Sequence, residues 1–181
     1  MTRRLVLGID PGTAVTGYGV VTMEGRTPTL VECGVIRTAP KDPLPARLRD
    51  IHDGVRELIE RHRPDTVAVE DVFYARNVRT TVVLGHARGV ILLAAAQAAL
   101  DIREYPPAEI KKAITGSGSA TKEQVQFMVT KLLRLKHAPE PADASDGVAA
   151  ALCACLATTL PTLPPFPTLR SLSLASARKP T

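Results

Sequence analysis

Asp10 and Glu70 hold equivalent places in two separate stretches of the chain. Each is the first acid after a short apolar run, Leu5-Val6-Leu7-Gly8-Ile9 before one and Val67-Ala68-Val69 before the other. Runs of that kind suit strands covered on both faces, which puts both carboxylates at strand carboxyl ends, the edge of an open α/β sheet where ligands bind. If the two strands pair, about 4.8 Å apart, the acids converge and repel. Either one pKa rises or a cation is held between them, and oxygen donors of this type favour Mg²⁺ or Mn²⁺. Asp143 and Asp146 form a second pair, three residues apart at the start of an Ala-rich helical run, on one face near the positive end of its dipole. Two of these acids have ordinary readings as well: Asp10 as a turn former before Pro11-Gly12, and Asp143 as an N-terminal helix acid. Asp146 stands against the apolar run Gly147-Val148-Ala149-Ala150-Ala151-Leu152, and Glu70 gains little at a strand end, so both are harder to explain without a ligand. Four carboxylates with two divalent ions suit phosphodiester hydrolysis, one ion generating hydroxide and the other stabilising the leaving oxygen. No Ser or His nucleophile is then required.

Other residues fit a nucleic-acid substrate. Lys122 opens a helix behind the loop Gly116-Ser117-Gly118-Ser119, where backbone amides and a cation together favour a phosphate; a solvated surface lysine is the alternative, and the commoner outcome for any single Lys. Phe73 and Tyr74 are two of six aromatic residues and follow Glu70 closely, in position to stack on or wedge between bases; core burial is the alternative, more so for Tyr74. Arg76, Arg79 and Arg88 begin and line a long helix in which Gly85 and Gly89 leave room for close approach of another element, either a second copy of the chain or this chain's own sheet.

The elements that must position these residues are legible as alternating patterns. After the first strand, Thr16 to Met23 and Thr29 to Arg37 read as two more, joined by short turns and so antiparallel neighbours. Leu48, Ile51, Val55, Leu58 and Ile59 make the stripe of an amphipathic helix between Leu44 and Arg63. A strand at Thr66 to Val69 leads to a helix from Asn77 to Leu100, whose low charge past Arg88 predicts burial on more than one face. A strand from Ile102 to Tyr105, a short helix from Pro106-Pro107 to Ile114, a helix from Lys122 to Arg134 and a final helix from Asp143 to Thr158, opened by Pro141, complete the body. The sum is an α/β fold, a mixed five-stranded sheet with helices on its faces and no internal repeat.

The chain of 181 residues fits one domain, with 45% hydrophobic and 23% charged residues, which excludes a disordered, collagen-like or coiled-coil chain. Its net charge is +5, but residues 160–181 hold Arg170, Arg178 and Lys179 and no acid, so the preceding 159 carry 20 basic and 18 acidic residues. A nucleic-acid binder with so neutral a body has to concentrate its positive charge locally. We read 1–159 as one folded domain and 160–181, with Pro161, Pro164, Pro165 and Pro167, as a disordered basic tail. Cys33, Cys153 and Cys155 lack zinc-site spacing and read as packing residues. No signal peptide is apparent, and the longest apolar stretch, Val90 to Ala96, is short of a bilayer span, so a cytoplasmic location without membrane contact is expected.

Six blocks together resemble a known family. They are Gly8-Ile9-Asp10-Pro11-Gly12, Thr16-Gly17-Tyr18-Gly19-Val20, Glu70-Asp71-Val72-Phe73, Gly85-His86-Ala87-Arg88-Gly89-Val90, Gly118-Ser119-Ala120-Thr121-Lys122 and Ala142-Asp143-Ala144-Ser145-Asp146. In order and spacing, from about Leu5 to about Leu156, they look like the RuvC family of bacterial Holliday-junction resolvases. The resemblance implies a ribonuclease H-like fold and a homodimer. It also implies nicking of two like-polarity strands of a four-way junction, dependent on Mg²⁺ or in its place Mn²⁺, two ions per site, beside a branch-migration motor. It carries the catalytic, metal-binding acids onto Asp10, Glu70, Asp143 and Asp146, the base-contacting aromatic onto Phe73, and phosphate-side lysines onto Lys111 or Lys112 and onto Lys122. Three rival readings remain at this stage: a non-catalytic junction-binding module, another ribonuclease H-like nuclease acting on RNA or plain duplex, and an actin-like phosphotransferase, suggested by Asp10-Pro11-Gly12-Thr13 and Thr16-Gly17. The last needs two such domains to enclose a nucleotide.

Overall fold

The computed structural model describes residues 3–71 and 78–157. The elements run β1 (Arg3–Asp10), β2 (Val15–Glu24), β3 (Thr27–Arg37), α1 (Leu44–His62), β4 (Thr66–Glu70), α2 (Val78–Gln97), β5 (Asp101–Tyr105), α3 (Pro107–Thr115), α4 (Lys122–Leu132) and α5 (Ala142–Leu156). The five strands form one sheet in the order β3-β2-β1-β4-β5. Short turns make β1, β2 and β3 antiparallel neighbours, whereas β1–β4 and β4–β5 are parallel because a helix crosses over between each pair. This is the mixed sheet with helices on both faces that the sequence pattern predicts.

Alternation along the strands sorts the core into two layers. Val6, Val21 and Ala68 pack with Ile110, Val125, Val129, Val148 and Leu152 of α3, α4 and α5. Leu7, Ile9, Val20, Val67 and Val69 pack on the opposite face with Ile51, Val55, Ala87 and Ile91 of α1 and α2. Because side chains alternate, Asp10 lies on the same face as Val6, and Glu70 on the same face as Ala68. Both acids therefore project toward α3, α4 and α5.

Helix α5 sits unusually low on that face, and glycine makes this feasible. A Cβ on Gly8 would lie 2.2 Å from the Gly147 carbonyl oxygen, and one on Gly17 only 1.8 Å from that of Asp143. Gly17 pairs with Asp10 across the β1–β2 ladder. The start of α5 is thus pressed against the strand end that carries Asp10.

Two expectations need correction. Helix α2 is not buried on more than one face: Ala87, Ile91, Ala94 and Ala95 are buried, while Val78, Val82 and Leu93 are exposed at 76%, 52% and 49%. A helix apolar all round looks buried in sequence, yet here one stripe alone meets α1 and the sheet. Its 20 residues, with mean hydropathy 1.3, are long and apolar enough by composition to cross a bilayer, which the shorter run Val90 to Ala96 did not suggest. Helix α4 stops at Leu132, short of Arg134, whose φ of 54° lies in the left-handed region and cannot prolong the helix. Cys153 and Cys155 are buried and Cys33 half-buried, and none of the three is in a disulfide, consistent with packing roles.

Candidate active site

The site is built from the ends of two parallel strands and the starts of two helices. Ile9 and Val69 are register partners, so Asp10 and Glu70, one residue on, end adjacent strands side by side. The turn after Asp10 is held by the Thr16 hydroxyl, which donates to the Gly12 carbonyl at 2.6 Å. Asp71, directly after Glu70, donates its backbone N–H to the Tyr105 carbonyl at 2.8 Å, which ties the end of β4 to β5.

Helix α5 supplies the second pair of acids. Asp143 lies in its first turn, and Asp146 follows on the same face. Carboxylate oxygens of Asp10, Asp143 and Asp146 all lie within 4.8 Å of one another. Glu70 stands outside that triad but faces the same cavity, about 290 Å³, lined by Asp10, Glu70, Lys111, Lys122 and Asp146 with apolar walls from Ile110, Val125 and Ala149.

Lys122 enters from the N-terminus of α4. Its ammonium donates to Asp146 Oδ2 at 2.7 Å. A capping box fixes this helix start: Thr121 Oγ1 accepts from the Gln124 N–H at 3.3 Å, and Gln124 Oε1 accepts from the Thr121 N–H at 2.8 Å. Thr121-x-x-Gln124 was the sequence signal for that rigidity. The Lys111–Lys112 doublet divides. Lys111 is half-buried in the cavity wall, whereas Lys112 is exposed and lines a neighbouring groove with Ala108, Glu109, Ala113 and Gly118.

The electrostatics follow from crowding acids away from water. Burial, then repulsion from Asp146 and Asp143, raises the Asp10 carboxyl to about 7, with Lys122 opposing. Burial again, then Asp10 and Asp146, raises Glu70 to about 8 against the pull of Lys111 and Lys122. Asp146 is raised by burial despite its bond to Lys122, and that same bond holds the Lys122 ammonium above its ordinary value. Acids that retain protons near neutrality are poised to exchange them for a cation. The triad offers oxygen donors alone, the set that suits a hard divalent ion such as Mg²⁺ or Mn²⁺.

Sequence reasoning missed the support behind Glu70. Arg88 of α2 is bonded through Nη2 to Glu104 on β5 and lies 3.2 Å from Asp71 Oδ1. It therefore turns inward, away from the glycine notch of its helix. Around Gly85 and Gly89 nothing lies within 4 Å of where a Cβ would be, so among the described residues no element of this chain fills the notch. Phe73, Tyr74, Arg76 and the tail 160–181 lie outside the described residues.

The family model described as crossover junction endodeoxyribonuclease RuvC matches residues 6–154. A relative of that description from Halorhodospira halophila is 54% identical over 153 residues, covering 84% of this chain and 89% of its own. Another, from Moorella thermoacetica, is 51% identical over 150 residues, covering 82% and 89%. The solved structure of Thermus thermophilus RuvC superposes with a TM-score of 0.78 at 39% identity, covering 84% of this chain and 93% of that one. The same protein in complex with a Holliday junction substrate gives 0.77 at 37% identity, covering 84% and 93%. A yeast mitochondrial Holliday junction resolvase, 13% identical with a TM-score of 0.60, shares the fold.

Proposed function

Since the chain belongs to the crossover junction endodeoxyribonuclease RuvC family, we propose that its four acids form a two-cation site that nicks two like-polarity strands of a Holliday junction symmetrically. The protein is a structure-specific endodeoxyribonuclease of DNA recombination and repair with a ribonuclease H-like fold. The observation that carries the catalytic reading is the convergence of Asp10, Asp143 and Asp146 within 4.8 Å, beside a cavity that Asp10 and Asp146 line together with Glu70 and two lysines.

In this reading Asp10 would hold the cations, Glu70 and Asp146 would complete their ligand sets, and Asp143 would ligate or orient the attacking water. Bound there, Mg²⁺ or Mn²⁺ supplies the Lewis acidity that makes water nucleophilic and stabilises the leaving oxygen. The chain does the rest. Lys122, fixed by its capping box, keeps the Asp146 carboxylate in place and presents positive charge to the scissile phosphate. Lys111 does the same on the Glu70 side, and we assign the phosphate contact to it rather than to Lys112 because Lys111 faces the cavity. The apolar walls from Ile110, Val125 and Ala149 limit water around the acids, which strengthens every charge interaction inside. Phe73, Tyr74 and Arg76, three to six residues past Glu70, are assigned to the bases and backbone near the crossover.

Two cuts need two sites. Val78, Val82, Gly85, Gly89 and Leu93 form an exposed stripe along α2, small in the middle and apolar at its ends, and it suits a second copy of the chain. A two-fold dimer matches a two-fold substrate. A cytoplasmic homodimer working beside a branch-migration motor, with a nuclease domain of 1–159 and an appended basic tail, completes the proposal.

The deciding experiment incubates the protein and its Asp10→Asn variant with a labelled four-way junction and a matching linear duplex, with Mg²⁺, Mn²⁺ or chelator. Paired symmetric nicks in the junction alone, dependent on metal and on Asp10, are the expected result. Junction binding without cutting in any metal overturns the catalytic assignment.

A further inference from the structure

The cations assigned to the site so far stand on one side of it. Lys111 lines the cavity with Glu70, and Lys122 is bonded to Asp146. The start of α5, with Asp143, lies instead over β2, where a Cβ on Gly17 would come within 1.8 Å of the Asp143 carbonyl oxygen. A DNA strand that crosses the acids has phosphates on that side too, and phosphate contacts fix the register of a protein on its DNA.

The sheet brings one cation there. Gly17 pairs with Asp10, and Val15, two residues before it, pairs with Arg37 at the end of β3. Because side chains alternate, Val15, Gly17 and Arg37 lie on the face of Asp10, the face on which α5 starts. Two strands across at about 4.8 Å and two residues along at about 3.4 Å put the Arg37 Cα about 12 Å from that of Asp10. Arg37 is exposed, and among the described residues it makes no ion pair.

The backbone next to Arg37 is pinned. Thr38 is buried and donates its N–H to the Ala14 carbonyl at 3.1 Å and its hydroxyl to the Thr13 carbonyl at 2.6 Å. Arg47 of α1 donates Nη2 to the same Thr13 carbonyl at 2.5 Å and Nε to Thr38 Oγ1 at 3.1 Å. Arg47 is thereby committed to the loop that follows Asp10, while Arg37 stays available. The clamp fixes Arg37 relative to Asp10, which reduces the ordering cost of a ligand that touches both.

The local charge points to a polyanion. Residues 37–49 carry Arg37, Lys41, Arg47 and Arg49 against Asp42, a net +3, whereas 1–159 as a whole has 20 basic and 18 acidic residues. The first turn of α1 holds no acid. A span of about 12 Å is three to four nucleotides of rise along one DNA strand, at about 3.4 Å each. Building on the junction-nicking assignment above, we propose that Arg37 binds a backbone phosphate of the cut strand on the Asp143 side, so that the strand is held on both sides of the acids.

The test measures junction binding in Ca²⁺ across a salt series for the parent, Arg37→Gln and the conservative Arg37→Lys. Arg56→Gln on α1, which packs on the opposite face of the sheet, serves as the surface control. Arg37→Gln is expected to weaken binding about three- to tenfold and to lower the slope of log affinity against log salt by about 0.9, while Arg37→Lys keeps the slope. Junctions carrying one neutral methylphosphonate identify the partner phosphate. At one position, about three to four nucleotides from the cut, the substitution should weaken the parent about three- to tenfold and leave Arg37→Gln unaffected, as expected of two groups in contact. Parental affinity and slope in Arg37→Gln, or a methylphosphonate penalty equal in parent and variant at every position, overturns the contact. A parent that neither binds nor nicks a junction overturns the underlying assignment instead, so the two failures are separable. Arg37 is exposed, so its replacement leaves the core intact, and circular dichroism melting verifies it.

Discussion

At the scale of single residues the site is a balance between protons and cations. Burial and mutual repulsion hold Asp10 at about 7 and Glu70 at about 8, against ordinary values of 3.8 and 4.5. A folded state that keeps protons which the unfolded chain has released is favoured by acid. That contribution is fully present below the unfolded values and is lost as pH rises through 7 and 8. In chelator, melting is therefore expected at a lower temperature at pH 8 than at pH 6, and Asp10→Asn is expected to narrow the gap. Mg²⁺ should recover more stability at pH 8 than at pH 6, because at pH 6 it competes with protons; scanning calorimetry over this pH range measures all three. Asp10→Asn and Asp143→Asn should each slow nicking on the order of 10³-fold or more while leaving junction binding. Asp143→Asn at the parental rate would remove Asp143 from the catalytic set.

At the scale of elements, the depth of α5 sets the distance between the two pairs of acids. Gly17→Ala places a methyl group 1.8 Å from the Asp143 carbonyl oxygen, and the helix has to lift. A cost of about 1–3 kcal/mol is expected, at about 2–4 °C of melting temperature per kcal/mol for a chain of this length. Nicking should be impaired even at temperatures where the variant is fully folded by circular dichroism; parental rates there would mean that Gly17 does not seat the helix. Behind Glu70, Arg88→Gln leaves Asp71 and Glu104 without their shared cation and is expected to slow nicking about 10- to 100-fold. Adding Glu104→Gln should restore part of it, a coupling that a double-mutant cycle reads directly. Much of this architecture was legible beforehand. The apolar runs ending in Asp10 and Glu70 gave the strand ends, and the three-residue spacing of Asp143 and Asp146 gave a common helix face. What sequence could not supply was distance. That Lys111 rather than Lys112 enters the cavity depends on the rotation of α3, and the inward turn of Arg88 depends on how α2 lies against β5. The exposed apolar face of α2 was read as buried because composition registers how apolar a helix is, not how many neighbours it has.

At the scale of the whole molecule, the stripe of Val78, Val82, Gly85, Gly89 and Leu93 is the surface on which paired cutting depends in our proposal. Leu93→Glu, exposed in the single chain, should leave its fold intact, yield a monomer by analytical ultracentrifugation and turn paired nicks into single, uncoupled ones. A dimer that survives both Leu93→Glu and Val82→Glu would place the interface elsewhere. The same whole-molecule view gives the triad of Asp10, Asp143 and Asp146 another meaning. Asp10 comes from the first strand and its partners from the last described helix, so Asp10 is made well before the residues that complete the cluster. While a ribosome is still making the chain, the sheet and its early acids exist without the residues that complete the cluster. In our proposal cutting ability is then acquired only once α5 has been made and has docked, and a chain that stops before α5 lacks two of the four acids.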